Sequence, residues 1–163
     1  MLPSAFVVEA AFCFAPSVSN IHAGFCVFKS IAVVVPLKRE TDFDSVRSIA
    51  RHIAEDVAAD DPQHRTMETL KSKRRGLVYI DTNRNAYAQT VAPAYAVRAR
   101  AGAPVSVPIH WDELEEKNLR PDGLSIRTIF ARLDKIDDPW KDFSRNAVSL
   151  GKASRKIEVR HAA

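Results

Sequence analysis

The stretch SIAVVVPLKRETDFDSVRSIARHIAEDVAADDPQ, residues 30–63, decides the fold class of this chain. Its opening, SIAVVVPL at 30–37, is a β-branched run halted by Pro36, the pattern of a buried strand. After a short turn, Thr41 or Asp42 can cap a helix by accepting from the free N–H groups of its first turn. Phe43, Val46, Ile49, Ile53 and Val57 then recur at spacings of three and four, which places them on one helical face, and Asp60, Asp61 and Pro62 end the helix. Asp44, Arg47, Arg51 and Glu55 lie opposite that stripe, so their charge reads as a solvated helix face rather than a site.

Downstream, residues 64–75 form a polar and increasingly basic approach to GLVYID at 76–81, which reads as a second strand between Gly76 and the turn-forming TNRN. Period-two alternation puts Leu77, Tyr79 and Asp81 on one face and Val78 and Ile80 on the other, delivering Asp81 at a strand end. AYAVRAR at 94–100 alternates again, with Arg98 and Arg100 on one side and Val97 and Ala99 on the other, before Gly102, Pro104 and Pro108 open an extended connection. WDELEEKNL at 111–119 and LSIRTIFARL at 124–133 have the pattern of short helices, the second with an apolar stripe of Ile126, Ile129, Phe130 and Leu133. The sum is an α+β (α/β) domain with a mixed β-sheet backed by helices. From about Gly151 the chain is basic and poor in apolar residues, the composition of a loose tail over 151–163.

Composition bounds the function classes. With 163 residues, 46% of them hydrophobic and 27% charged, the chain has the make-up of one globular domain and not of a disordered segment. Two cysteines, Cys13 and Cys26, with only His22 between them, do not match the ligand spacing of a zinc site and read as small hydrophobes. Pro3, Pro16, Ser17, Ser19, Asn20, His22 and Lys29 interrupt the apolar N-terminal third before any run reaches the ~18–20 residues that cross a bilayer. No Lys or Arg precedes Lys29, so no signal peptide is expected and the cytoplasm is the default compartment.

The net charge of +4 is modest, but it is unevenly placed. Residues 65–100 carry eight bases against two acids, residues 40–61 seven acids against two bases, and residues 112–142 nine acids against six bases. A basic centre between acidic shoulders fits a face that meets phosphates, and equally a solvated charged surface.

The strings VVVPL, SVRSIARHIAEDVA, KSKRRGLVYIDTNRN, QTVAPAYAVRARAGAPVSVPIHWDEL, SIRTIFARL and DPWKDF, in this order between about 33 and 143, resemble the polymerase domain of bacterial DNA ligase D, a branch of the archaeo-eukaryotic primase superfamily. The resemblance covers the later part of that domain. It implies nucleotide addition at DNA ends during non-homologous end joining, with a divalent metal pair (Mn or Mg) held by three aspartates. Two hard cations can clamp an attacking hydroxyl and a triphosphate, and carboxylates are their natural ligands. By the same resemblance Asp81 matches the third aspartate, catalytic and metal-binding. Lys29, Arg74, Arg84 and Arg98 match nucleotide- or phosphate-binding positions, with Asn85 beside them, and Lys71, Lys73, Arg75 and Arg100 are candidate DNA contacts. The implied partners are DNA ends or primer-template, NTPs, a ligase and an end-binding Ku-type protein, with no membrane, in the bacterial cytoplasm at the nucleoid.

The departures are equally specific. The family's first two metal ligands form an Asp-x-Asp pair on an earlier strand, whereas Glu9 is the one acid among residues 1–39. The family's Ser- and Gly-rich phosphate segment falls on FCVFKSIA at 25–32, where Lys29 keeps the lysine position, Ala32 replaces a histidine, and Val27 and Phe28 replace small residues that let backbone amides approach a phosphate. The expectation is a divergent segment over 1–30, from a shifted reading frame, an alternative start or genuine divergence, and a polymerase-like part over 31–150 that is truncated and catalytically incomplete. The alternative is a non-catalytic DNA- or nucleotide-binding fragment. If nothing in residues 1–30 pairs with the strand at 31–37, that strand is left with an open edge.

Overall fold

The structure, a computed structural model, describes residues 5–10, 22–26, 30–120 and 122–151, with the first two strands and Ser30 described by their backbone alone. Lys29, Cys13 and the tail from 152 onward lie outside the described residues, as does the side chain of Cys26.

Three antiparallel strands, β1 (Ala5–Ala10), β2 (His22–Cys26) and β3 (Ser30–Pro36), form most of the main sheet. β3 lies between the other two, with Ala5 opposite Pro36 on one side and His22 opposite Val34 on the other. The open edge considered for the strand at 31–37 is therefore paired on both sides. Its apolar run suits a strand with both faces covered: Val35 packs with Val46 and Ala50 of helix α1 (Phe43–Asp60), while Ala32 and Val34 meet Trp140 and Phe143. Those two aromatic rings stack with centroids 5.1 Å apart, so the DPWKDF segment roofs the face that α1 leaves open. Residues around Val148 finish the core by bridging Leu37 in parallel, and Leu150 is buried beside it.

α1 follows the sequence expectation closely. Asp42 is its cap, accepting from the Ser45 N–H at 2.8 Å, and Asp61 terminates it. The buried positions are Val46, Ala50, Ala54 and Val57, so the stripe turns slightly from the large residues toward the alanines, with Ile49 and Ile53 half-buried at its border. The opposite face is solvated, and Arg51 pairs with Glu55 there at 2.8 Å.

A small parallel ladder then joins β4 (Arg65–Thr66) to β5 (Val78–Tyr79). The expected strand over 76–81 is shortened to two laddered residues, both half-buried, and Ile80 is buried against Ala54 and Val57. The segment 94–100 is not a strand: it makes a single bridge, Val97 to Val105, because Tyr95 takes a φ of 61° that breaks the extended path. Val97 is accordingly exposed rather than packed. Beyond it, β6 (Pro108–Ile109) adds to the main sheet beside β2, giving the order β1-β3-β2-β6.

The two later helices are shorter than their patterns suggest. Residues 111–119 contain one 3-10 turn, Asp112–Glu115, and α2 spans only Ile129–Leu133. The Thr128 hydroxyl accepts from the Ser125 N–H at 2.9 Å and closes a turn just where the helix was expected to continue backward. Of the four apolar positions in that stripe Ile129 alone is buried, and Ile126, Phe130 and Leu133 face solvent.

Candidate functional site

The candidate site grows from the strand end at β5. Main-chain bonds from Val78 N–H to His64 C=O and from Ile80 N–H to Thr66 C=O fix β5 on β4, and Ile80 anchors it to α1. Tyr79, on the opposite face from Ile80, is left half-buried, and Asp81 follows it on the same side. Sequence alternation had placed both side chains on that face.

Asp81 is held in an Asx turn. Its Oδ1 accepts the Asn83 N–H at 2.8 Å, the local bond that makes Asp a turn initiator. The Asn83 amide in turn donates to the Tyr79 hydroxyl at 3.3 Å. Burial, reinforced by the charge of Asp81, raises the Tyr79 phenol above its usual 10.0, against the opposing pull of Arg74 and the Asn83 bond. Tyr79 therefore stays neutral at physiological pH.

Arg74 lies across the same ring, its guanidinium carbon 3.7 Å from the Tyr79 centroid. A cation in that position gains about 0.5–1 kcal/mol at an exposed site. Its Nε donates to Glu68 C=O at 2.8 Å and one Nη to Thr69 C=O at 2.7 Å. The residue matched by resemblance to nucleotide binding is thus engaged with its own loop. Neither Tyr79 nor Asn83 was singled out in the sequence. The one signal for them was their place, two residues either side of Asp81.

The remaining candidate cations are carried on the segment before β5, on the turn after it and on a separate turn. Lys71 and Lys73 occupy an exposed 3-10 turn, Lys71–Lys73, and Arg75 follows it, also exposed. Arg84 is exposed in the 3-10 turn Asn83–Asn85, whereas Asn85 is buried and donates to Thr82 C=O at 2.8 Å, a bond that holds the turn itself. Arg98 and Arg100 sit on a separate turn, fastened by Arg98 N–H to Pro104 C=O and by Ala103 N–H to Arg100 C=O, with Ile126 N–H reaching back to Ala103 C=O. The structure joins Arg74, Tyr79, Asn83 and Asp81 through direct contacts and carries Arg98 and Arg100 on a second support. Lys29 falls outside the described residues.

A divalent metal pair needs several converging anionic ligands. Among the described residues no three His, Cys, Asp or Glu side chains gather into a group that could hold a metal ion. Asp81 presents one carboxylate with one oxygen engaged by Asn83, so the described donor set does not fit a two-cation centre. Elsewhere, a cavity of about 190 Å³ is lined by Val105, Val107, Ile109 and Leu119 together with Glu113 and Arg132. Its two most enclosed charges are paired to each other, Arg132 donating to Glu113 at 2.5 and 2.9 Å. Among the described residues no helix is long and apolar enough to cross a membrane.

Comparison with known proteins gives a consistent outcome. A family model described as LigD, primase-polymerase domain, matches residues 28–140. The multifunctional non-homologous end joining protein LigD of Pseudomonas aeruginosa is 32% identical over 130 residues, 78% of this chain and 15% of that protein. The bifunctional LigD of Bacillus subtilis is 29% identical over 119 residues, 72% of this chain and 19% of its own length. The chain thus spans less than a fifth of these relatives. The polymerase domain of Mycobacterium tuberculosis ligase D, solved in complex with DNA, superposes with a TM-score of 0.75 at 19% identity, over 89% of this chain and 56% of that one, a likeness of fold.

Proposed function

This chain belongs to the LigD primase-polymerase domain family, and from that premise we propose that residues 31–150 bind DNA ends and nucleotide phosphates through a cationic surface built around the Asp81 turn. The observation that carries this reading is the juxtaposition of the Lys71–Arg75 segment with Asp81. Arg74 stacks on Tyr79, Tyr79 meets Asn83, and Asn83 donates to Asp81, so exposed Lys71, Lys73, Arg75 and Arg84 are borne on the two turns that this chain of contacts joins. Arg98 and Arg100, on their separate turn, are further candidates for phosphate contact by the family resemblance. Cations in such numbers on a short stretch suit phosphodiester and triphosphate oxygens, which a guanidinium meets with paired hydrogen bonds.

Asp81 stands at the position where the family resemblance implies one metal ligand, a single carboxylate of the three. With Glu9 the one acid among residues 1–39, where the family's Asp-x-Asp pair would fall, this chain alone is expected to be a weak nucleotidyltransferase or none and to act by binding. A ligase and a Ku-type end-binding protein remain the partners that the resemblance implies, in the bacterial cytoplasm at the nucleoid. The test is binding of a 5′-phosphorylated DNA duplex across a salt series. Affinity should fall steeply, with a log–log slope of about −0.9 for each phosphate engaged. A response indifferent to salt would contradict the proposal. Manganese-dependent primer extension that is abolished by Asp81→Ala would instead favour a complete catalyst.

A further inference from the structure

Arg74 differs from the other cations of the basic segment. Lys71, Lys73 and Arg75 are exposed, whereas Arg74 is half-buried. One edge of its guanidinium donates to two consecutive carbonyls, Glu68 and Thr69, and one face of it covers the Tyr79 ring. The loop from 68 to 74 is thereby folded back onto the end of β5. Glu68 adds a second tie within the loop, its Oε1 accepting the Leu70 N–H at 2.9 Å. At the hydroxyl end of the same ring, Tyr79 accepts from the Asn83 side-chain amide, and Asn83 N–H is the group that holds Asp81.

We propose that Arg74 is a positioning residue: a clamp that fixes the exposed cations of 71–75 against the Tyr79 ring and, through the Tyr79 hydroxyl and Asn83, the Asp81 carboxylate at its other end. This rests on the reading of the segment as a phosphate-binding surface and assigns Arg74 a task within it distinct from contact with phosphate. Arginine suits the task because its planar fork can grip two carbonyls while its face stacks on an aromatic ring. A lysine keeps the charge, but its compact ammonium has no planar fork to hold both carbonyls while lying flat on the ring.

Two measurements on the whole chain, with Arg74→Ala, Arg74→Lys, Tyr79→Leu and Lys71→Ala variants, test this. In amide hydrogen exchange of the free protein, both Arg74 variants and Tyr79→Leu should speed exchange about tenfold at Lys73 and Asn83 while leaving the amides of α1 protected. In salt-dependent binding of a 5′-phosphorylated duplex, these same three variants should weaken binding several-fold with an unchanged slope, and Lys71→Ala should reduce the slope by about 0.9. A merely structural residue would lower the melting temperature and leave the affinity of the folded protein unaltered. The clamp is overturned if Arg74→Lys restores full binding, if Arg74→Ala lowers the slope by about one while Tyr79→Leu is harmless, or if Asn83 exchange does not respond. Should the parent chain fail to bind the duplex at all, the proposed function is lost, and the exchange measurement still decides for or against the clamp.

Discussion

Gly76 follows Arg75 in a turn closed by Leu77 N–H on Arg74 C=O at 2.8 Å, and both central residues have positive φ, 50° at Arg75 and 84° at Gly76. A Cβ added at Gly76 would meet nothing within 4 Å, so an alanine there is opposed by backbone strain alone. Gly76→Ala should cost about 1–2 kcal/mol in urea unfolding, and an unchanged midpoint would mean that the turn relaxes freely. At this scale the sequence was legible where chemistry is local. Alternation delivered Asp81 to the strand end, and the Asx bond to Asn83 is what an Asp at such an end makes. The stacking of Arg74 on Tyr79 was not legible, because a contact made around a turn leaves no periodic signal, and a basic run looks the same whether its members face phosphates or their own backbone.

Among the elements, α1 and β3 were readable because each carries a long, single-period apolar pattern and a clear stop. The short pieces were less so. β5 lies inside the strand expected over 76–81 but is laddered over only two residues, β4 carries no pattern of its own, and their parallel partnership is set by the intervening loop and by Ile80. Ile80 is 1% exposed and packs on Ala54 and Val57, so Ile80→Ala should destabilise the domain by about 2–5 kcal/mol. The measurement is a chemical denaturation midpoint. A loss under 1 kcal/mol would show that β5 is not anchored on α1. In α2 the apolar spacing misled: the residues that looked like a buried stripe are mostly exposed, Phe130 at 65%, because the helix is one turn long and the Ser125–Thr128 turn re-aims what precedes it.

For the molecule as a whole, the later half is tied together by the ion pair of Glu113 and Arg132, whose side chains are 10% and 13% exposed. Arg132 also donates to Pro108 C=O, and Glu113 accepts the His110 N–H at 2.6 Å, so β6, the 112–115 turn and α2 meet in one network. Removing one partner strands a buried charge, and Arg132→Leu should cost about 3–5 kcal/mol. Burial by itself would push the Glu113 carboxyl up, but Arg132 and the His110 N–H outweigh it and hold the pKa below the ordinary 4.5. A group depressed in this way contributes stability that is complete above its unfolded value and is lost as pH falls through the folded one. The stability gap between the parent and Glu113→Gln should therefore be constant above pH ~4.5 and shrink below it; a gap that widens on acidification would reverse the assignment. None of this network could be read from the sequence, where Glu113 is one of nine acids between 112 and 142. The central claim is that the cationic surface around Asp81 binds nucleic-acid phosphates, and fluorescence anisotropy of a 5′-phosphorylated duplex between 50 and 200 mM salt tests it most directly. With about five phosphates engaged the affinity should drop by some two to three orders of magnitude over that range, and an affinity that holds constant would contradict the account.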